Sequence, residues 1–495
     1  MTSHLRRLRT PADPEVLAQF RDALRLAEFT GPAIAGLLGS ASVTELKSRM
    51  PRLLYATRSG NAQDTFVRLF VAGVPVAIEQ VQAALGQALV SALAEAGVLR
   101  VSARTAAPLV SLLPHDDIVL AADQPVRSGT NPHYVPGITD SSVFLELFTI
   151  RRPLANAMDF GTGFGLHALR ASMHARRVTA VDVNRRALDF ARFNAALNAC
   201  SNIEFLRGDA FQAVSNRQFD LIVGNLPFAI TPSVRYTYRD SGMRLDDFAH
   251  RVINEAPGLL SEGGFCQILC QWIETKDQDW RDRLQGWFEG SDCDVWVMKN
   301  ESLPPDAYAE KWIADTEPGP PEAASRLFEN WMEYYSSEGI TAIHSGAIAM
   351  RHRPGNNWLR MDEGPDRARS PFGDAVLKAF AIGDYLPGLD DAALLGQRLR
   401  VSSDIHLVQR CDWSGGEWRA DACQLRFHTE LEYIVNVDQH VSKLVARCTG
   451  HRTVRDLIQE LADETGIPAD RLGPACMQLI RGLIERGFLL PSPVS

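Results

Sequence analysis

Several features that would make a function class easy to assign are missing from this chain. The eight cysteines, at positions 200, 266, 270, 293, 411, 423, 448 and 476, are too scattered for a disulfide framework, and no CxxC pair occurs. Cys266 and Cys270 lie in an apolar, strand-like run, where a thiol acts as a small hydrophobe and core packing is the reading. Histidines 115, 133, 167, 174, 250 and 344 form no HxxxH or Cys/His cluster, so no metal site is expected. No run of 18 apolar residues occurs, and the first residues hold arginines without the apolar core of a leader. Membrane spanning and secretion are therefore not expected, and the chain reads as cytoplasmic. Low-complexity tracts, GxSxG and a Cys/His nucleophile signature are also missing, which leaves hydrolase readings without support. Nor is there a surplus of positive charge. The 51 Lys+Arg stand against 60 Asp+Glu, a net of −9 that disfavours a general nucleic-acid coat. Residues 1–60 alone hold nine basic and five acidic side chains, a net of +4 that leaves −13 for the remainder. The basic stretch His4–Arg9 suits an anionic partner or plain solvation equally.

What is present is ordinary globular material. The 495 residues allow two to four domains, with 45% apolar and 22% charged residues. From about 14 to 105 the apolar spacing is helical, as in Val16, Leu17, Phe20 and Leu24. That stretch ends in a helix, Gly97 and a strand-like run, and Leu483–Leu490 repeats the same grammar around Gly487. Such endings fit winged-helix modules and plain helical packing domains alike. Between them, Ala155–Phe160, Arg177–Asp182, Asn202–Arg207, Phe219–Gly224 and Phe265–Gln271 read as strands. Helical segments such as Asn184–Asn198 and Asp246–Leu260 separate most of them. This alternation predicts parallel βαβ units in an α/β, doubly wound sheet, with Trp296–Lys299 and Ala347–Arg351 as terminal strands. The helix–Gly–strand ending before 105 and a composition shift at Arg353–Asn357 suggest the boundaries: a helical or winged-helix N-terminal domain over 1–105, the α/β domain over 106–360, and an α+β or winged-helix accessory domain over 361–495.

The run Asp159-Phe160-Gly161-Thr162-Gly163-Phe164-Gly165 follows the first strand and opens a helix. Its glycines let the backbone turn tightly and approach a ligand where a Cβ would collide. The position after Gly165 is Leu166 and no GK[ST] follows, so neither the dinucleotide fingerprint nor a P-loop is met. Asp182 ends the next strand and can accept both hydroxyls of a ribose. Asp209, in a Gly-Asp pair after the third strand, can accept from an adenine amino group. All lie at carboxyl ends of strands, where open α/β sheets bind ligands.

This order of DxGxGxG, ribose carboxylate and Gly-Asp pair resembles the class I S-adenosylmethionine-dependent methyltransferases over roughly residues 130–350. The resemblance implies a Rossmann-like methyltransferase sheet and S-adenosyl-L-methionine as cofactor. It also implies cofactor-binding roles for Asp159, Gly161, Thr162, Gly163, Gly165, Asp182, Asp209 and Asn225. The segment Asn225-Leu226-Pro227-Phe228 resembles the [DN]-x-P-[FY] motif of small-domain methyltransferases acting on adenine N6 or glutamine amides, and makes these four residues the catalytic candidates. Leu226 departs from the usual Pro and is similar to the form in rRNA adenine dimethylases; release-factor glutamine methyltransferases carry NPPY.

The chemistry accounts for the motif. A planar amine or amide shares its lone pair with a π system, and accepting its two N–H bonds aims that lone pair at an electrophilic methyl and stabilises charge growing on nitrogen. The Asn225 side-chain oxygen and the Leu226 carbonyl would accept, and Phe228 would stack on the acceptor. Tyr134–Ser142 and Tyr236–Gly242 are read as segments covering the cofactor and the acceptor side. The expected acceptor is RNA, DNA or a protein glutamine. Two rivals remain: a small-metabolite methyltransferase, and a cofactor-sensing DNA-binding protein. The sequence leaves oligomeric state open.

Overall fold

The computed structural model describes residues 7–39, 46–125, 131–317, 319–364, 370–403, 405–427 and 434–492; His4 to Arg6 and Pro365 lie outside these. The chain divides into two units, Met1–Glu146 with Arg152–Asp362, and Leu147–Arg151 with Glu363–Ser495.

The first unit is built on one mixed sheet. Its strands are β1 (Leu154–Phe160), β2 (Ala175–Asp182), β3 (Ile203–Arg207), β4 (Phe219–Asn225), β5 (Leu260–Thr275), β6 (Cys293–Leu303), β7 (Ile340–His352) and β8 (Leu359–Glu363). Across the sheet they run β3-β2-β1-β4-β5-β7-β6-β8. The pairs from β3 to β5 are parallel, whereas β7 is antiparallel to both β5 and β6. The five anticipated strands are all present, and both anticipated terminal strands join the same sheet. Sequence order concealed that β7 inserts between β5 and β6. The central strands are buried on both faces, which is why they read as continuous apolar runs: Phe265 to Ile273 of β5 are all buried, Cys266 and Cys270 among them.

Helices cover the sheet: α1 (Asp140–Phe148), α2 (Leu166–Ser172), α3 (Arg185–Leu197), α4 (Asp247–Glu255), α5 (Trp280–Phe288), α6 (Pro305–Thr316) and α7 (Pro321–Ser337). Residues expected to be helical through Leu260 instead tighten into a 3₁₀ turn at Ala256–Leu259, where Pro257 supplies no N–H, and Leu260 already belongs to β5. Helix α3 starts where the Asn184 side chain caps the Arg186 N–H. Asn194 on its buried face and Asn198 at its C-cap each donate to and accept from the backbone of strand Ile118–Asp123 through the side-chain amide, at Ala121 and Val119. Each side-chain amide thus does for an edge strand what a neighbouring peptide would do.

The N-terminal residues contribute helices and a three-stranded sheet in which Thr105–Pro108 lies between Val76–Ala77 and Leu99–Val101. Their side chains Leu17, Phe20 and Phe70 share one core with Phe190 and Phe193 of α3. In the second unit, Arg398–Val401 lies between Thr449–Thr453 and Leu489–Pro491. Val454, Leu457, Ile458 and Leu461 point into that unit's core, as their spacing predicts. Both sheets thus place one strand between two flanking a helix pair, and Gly97 (φ +80°) and Gly487 (φ +79°) close the second helix of each pair.

Candidate active site

A cavity of about 450 Å³ opens at the carboxyl ends of β1, β2, β3 and β4. The glycine loop forms one wall. Gly161 and Gly163 have φ of +67° and +55°, and a Cβ added at Gly161 would meet no atom within 4 Å, so that position faces open space. Gly165 works differently. At φ +92° its missing Cβ lies 3.1 Å from both Cα and Cβ of Ala191, so this glycine packs the loop against α3 and does not line the cavity. The loop is tied from behind by Asn194, which donates to the Phe164 carbonyl at 2.8 Å.

Asp159 is also off the cavity. It is 1% exposed, and its Oδ2 accepts from Thr162 Oγ1 (2.6 Å) and the Ala168 N–H (2.8 Å). Burial without a countercharge pushes its carboxyl up to about 7. Its place in the structure is that of a brace for the loop. Asp182 does line the cavity. Its oxygens accept from the N–H groups of Gly163 (2.8 Å) and Asn184 (2.7 Å), yet burial outweighs these bonds and raises it to about 6. Asp209 lines the cavity beside Arg251, which pairs with it at 2.8 Å. Arg251 was invisible to motif reasoning, since nothing in its local sequence sets it apart.

At the end of β4, Asn225 and Pro227 line the cavity, and Leu226 and Phe228 do not. Leu226 is 2% exposed, its side chain embedded in the core under the sheet. Phe228 packs edge-on against Trp312 of α6, ring centroids 6.5 Å apart. Asn225 donates through Nδ2 to Ser141 Oγ at 3.2 Å, and its Oδ1 is buried without a partner. Thus the amide is held by one end and its acceptor end is free.

Both covering segments reach the cavity. Tyr134, Pro136, Gly137 and Thr139 come from one, and Thr237, Tyr238, Ser241 and Gly242 from the other. Asn184 joins them by donating to the His133 carbonyl and Thr237 Oγ1. Asp123, bound by Arg186, accepts the Val135 N–H at 2.9 Å. The Tyr134 and Tyr238 rings meet edge-on at 5.8 Å, and burial pushes both phenols up to about 12, so both stay protonated hydrogen-bond donors at neutral pH. Past Phe228 the chain is clamped: Tyr308 Oη accepts the Ile230 N–H (3.0 Å) and donates to Gln271, while Tyr335 Oη donates to the Ile230 carbonyl (2.7 Å). Arg239, buried against Asp240, reaches Glu317 in the connection between α6 and α7.

Among the described residues, one group of metal-ligand types lies close together, His115, Asp116 and Glu146. The Arg170 guanidinium sits among them, 2.6 Å from Glu146, 2.9 Å from Asp116 and 2.6 Å from Asp117, and supplies the positive charge there.

The sequence profile of the methyltransferase small domain matches residues 139–291, and profiles of two domains of unknown function, DUF7059 and DUF7782, match 26–109 and 379–491. A Methanocaldococcus jannaschii protein assigned as a protein N5-glutamine methyltransferase is 32% identical over 23% of this chain and 60% of its own length. A ribosomal RNA large subunit methyltransferase I of Aeromonas salmonicida is 31% identical over 21% of this chain and 27% of its own. A release factor glutamine methyltransferase of Yersinia pestis is 33% identical over 28% and 54%. The chain therefore spans about a quarter to three fifths of the length of these relatives, and the similarity rests on its central part. Residues 139–291, with the strand order around them, are a class I S-adenosylmethionine-dependent methyltransferase domain of the small-domain type.

Proposed function

We propose that this protein transfers the methyl group of S-adenosylmethionine to a planar nitrogen, and that the acceptor is the side-chain amide of a protein glutamine. The observation that carries the reading is Asn225, whose amide nitrogen is anchored on Ser141 while Oδ1 waits buried and unpartnered at the cavity. A buried acceptor without a donor costs free energy until a ligand N–H fills it.

The cavity suits the cofactor, since the space a side chain at Gly161 would occupy is open and Asp182 and Asp209 stand at the next two strand ends. In this reading Gly161, Thr162 and Gly163 lie along the ligand, Asp182 accepts from ribose hydroxyls and Asp209 from the adenine amino group. Asp159 and Gly165 hold the loop in shape. The bound cofactor supplies an electrophilic methyl group. Asn225 Oδ1 and the Leu226 carbonyl accept the two N–H bonds of the acceptor, turning its lone pair toward that methyl and balancing charge as nitrogen becomes positive. Burial of the Leu226 side chain fixes the main chain that presents its carbonyl.

Glutamine is favoured over adenine N6 by the charge beside the acceptor segment. Helices α6 and α7, clamped to Ile230, carry Asp306, Glu310, Asp315, Glu322, Glu329 and Glu333 against Lys311 and Arg326 alone. Such a surface repels a phosphate backbone and attracts a basic protein. A DNA-binding sensor is disfavoured for a related reason: helix Gln87–Glu95, which leads into the N-terminal hairpin, has no Lys or Arg. The test is to incubate the protein and labelled cofactor with lysate lacking the enzyme, then separate protein, RNA and small molecules. Counts in protein, absent with Asn225→Ala, support the reading. Counts in RNA would put adenine first instead, and counts in small molecules the metabolite.

A further inference from the structure

One polar group on the cavity wall has no task in the reading above. His167 stands in the first turn of α2, just after the glycine loop; it lines the cavity, is 8% exposed, and its Nε2 has no hydrogen-bond partner. Its charged neighbours are already matched to one another, with Glu146 bonded to His115 Nε2 at 2.5 Å and to Arg170 at 2.6 Å. Burial depresses the His167 imidazole to about 4, so at neutral pH the ring is uncharged and carries one donor and one acceptor nitrogen. Leaving the Nε2 of an uncharged imidazole buried without a partner is unfavourable unless a ligand completes it.

Position decides which part of a ligand that is. Asp182 and Asp209, at the ends of β2 and β3, are read as holding the adenosine. His167 is on the other side of the glycine loop, following β1, with Thr139 and Ser142 of the α1 entrance also on the wall. We propose that His167 is a specificity-determining residue that hydrogen-bonds the α-amino-acid tail of the cofactor through Nε2, and so separates ligands bearing that tail from tail-less thioadenosines. The proposal rests on the S-adenosylmethionine reading of the site. An uncharged imidazole suits this task, because the zwitterionic tail offers a carboxylate to accept from it and an ammonium to donate to it, and no like charge is buried.

The test is calorimetric titration of the full chain with S-adenosylhomocysteine and with 5′-methylthioadenosine, which share adenosine and sulfur and differ in the tail. His167→Leu should weaken S-adenosylhomocysteine roughly 10- to 100-fold, the size of a lost hydrogen bond to a charged group, and leave methylthioadenosine within about threefold. His167→Gln, which keeps hydrogen-bonding capacity, should recover most of the loss. A measurement on the unsubstituted protein covers the case in which His167→Leu does not fold: the ¹⁵N imidazole resonances of His167 should move on adding S-adenosylhomocysteine and stay in place with methylthioadenosine. Equal loss for both ligands, no loss for either, or the same resonance shift with both overturns the proposal alone. Failure of the unsubstituted protein to bind either ligand overturns the cofactor reading and the proposal with it.

Discussion

Asp182, half-buried, and Asp159, fully buried, are carboxyls one strand apart whose surroundings give them different tasks. Asp182 is raised to about 6 and open to the cavity, and in the proposed role it must be ionised to accept two ribose hydroxyls. Affinity for S-adenosylmethionine should therefore weaken roughly tenfold per pH unit below about 6, a dependence that calorimetry between pH 5 and 7.5 should find and that Asp182→Asn should lack. Asp159 titrates near 7 in the folded chain and near its ordinary value when unfolded, so the folded state holds the extra proton between about 4 and 7. Stability from this group is present at the acid end and lost as pH rises through that window. Asp159→Asn removes the loss, so its melting temperature relative to the parent should climb from pH 5 to 7.5 in a thermal-shift series. At β4, Asn225→Ala leaves the glycine loop and both strand-end carboxylates in place. Cofactor affinity should stay within about threefold while turnover falls roughly 10²–10³-fold, the usual effect of deleting one group that stabilises transition-state charge. Loss of cofactor binding in the folded variant would make the segment structural.

At the scale of elements, the glycine loop and α3 are one device. Gly161 and Gly165 both have positive φ, but an added Cβ at Gly161 faces open space and at Gly165 meets the α3 backbone. Gly161→Ala should cost roughly 1–2 kcal/mol for the left-handed conformation and show its main effect in cofactor affinity. Gly165→Ala adds a steric collision to the same conformational penalty, so urea unfolding should rank it clearly the less stable of the two. The α6–α7 pair sets the acceptor segment in the same way that α3 sets the loop. Tyr308→Phe would leave the Ile230 N–H and the Gln271 side-chain oxygen buried without their partner, which should cost about 1–3 kcal/mol of stability.

For the whole molecule the relevant quantity is where the net −9 resides. A general acidic balance says little about a substrate, but six carboxylates on the two helices clamped beside the acceptor segment say which sign of partner can approach. Methylation of a basic protein acceptor should show an apparent KM that rises between 50 and 300 mM salt, roughly the range over which screening shortens to a few ångströms. Glu329→Lys with Glu333→Lys should raise KM at low salt and leave kcat near its parent value. A KM indifferent to both changes would remove the charge argument for a protein acceptor.

The sequence by itself determined whatever depends on local backbone demand. Gly161 to Gly165 between a strand and a helix, the carboxylates at the ends of the next two strands, and Asn225–Phe228 after the fourth are legible because strand ends and tight turns write themselves into adjacent residues. So does the buried face of Val454, Leu457, Ile458 and Leu461. Tertiary structure decided which of these residues face the ligand. Asp159 and Gly165 share a motif with Gly161 and Gly163, yet one braces the loop from the core and the other packs on Ala191, because α3 lies on that side. The motif makes Phe228 a stacking surface for the acceptor, and the fold turns it to Trp312, a residue 84 positions on in the helical insertion between β6 and β7. Ser141, which holds Asn225, lies in the covering segment Tyr134–Ser142 that the sequence marks out, whereas Arg251 and His167 reach the cavity from helices whose local sequences carry no sign of it. Asn194 did leave a trace, as a polar residue on the apolar face of a helix, but its partners Ala121 and Phe164 are 73 and 30 residues away. Spacing along the chain encodes the conformation of a turn, whereas the direction a side chain faces depends on which distant element fills the space around it.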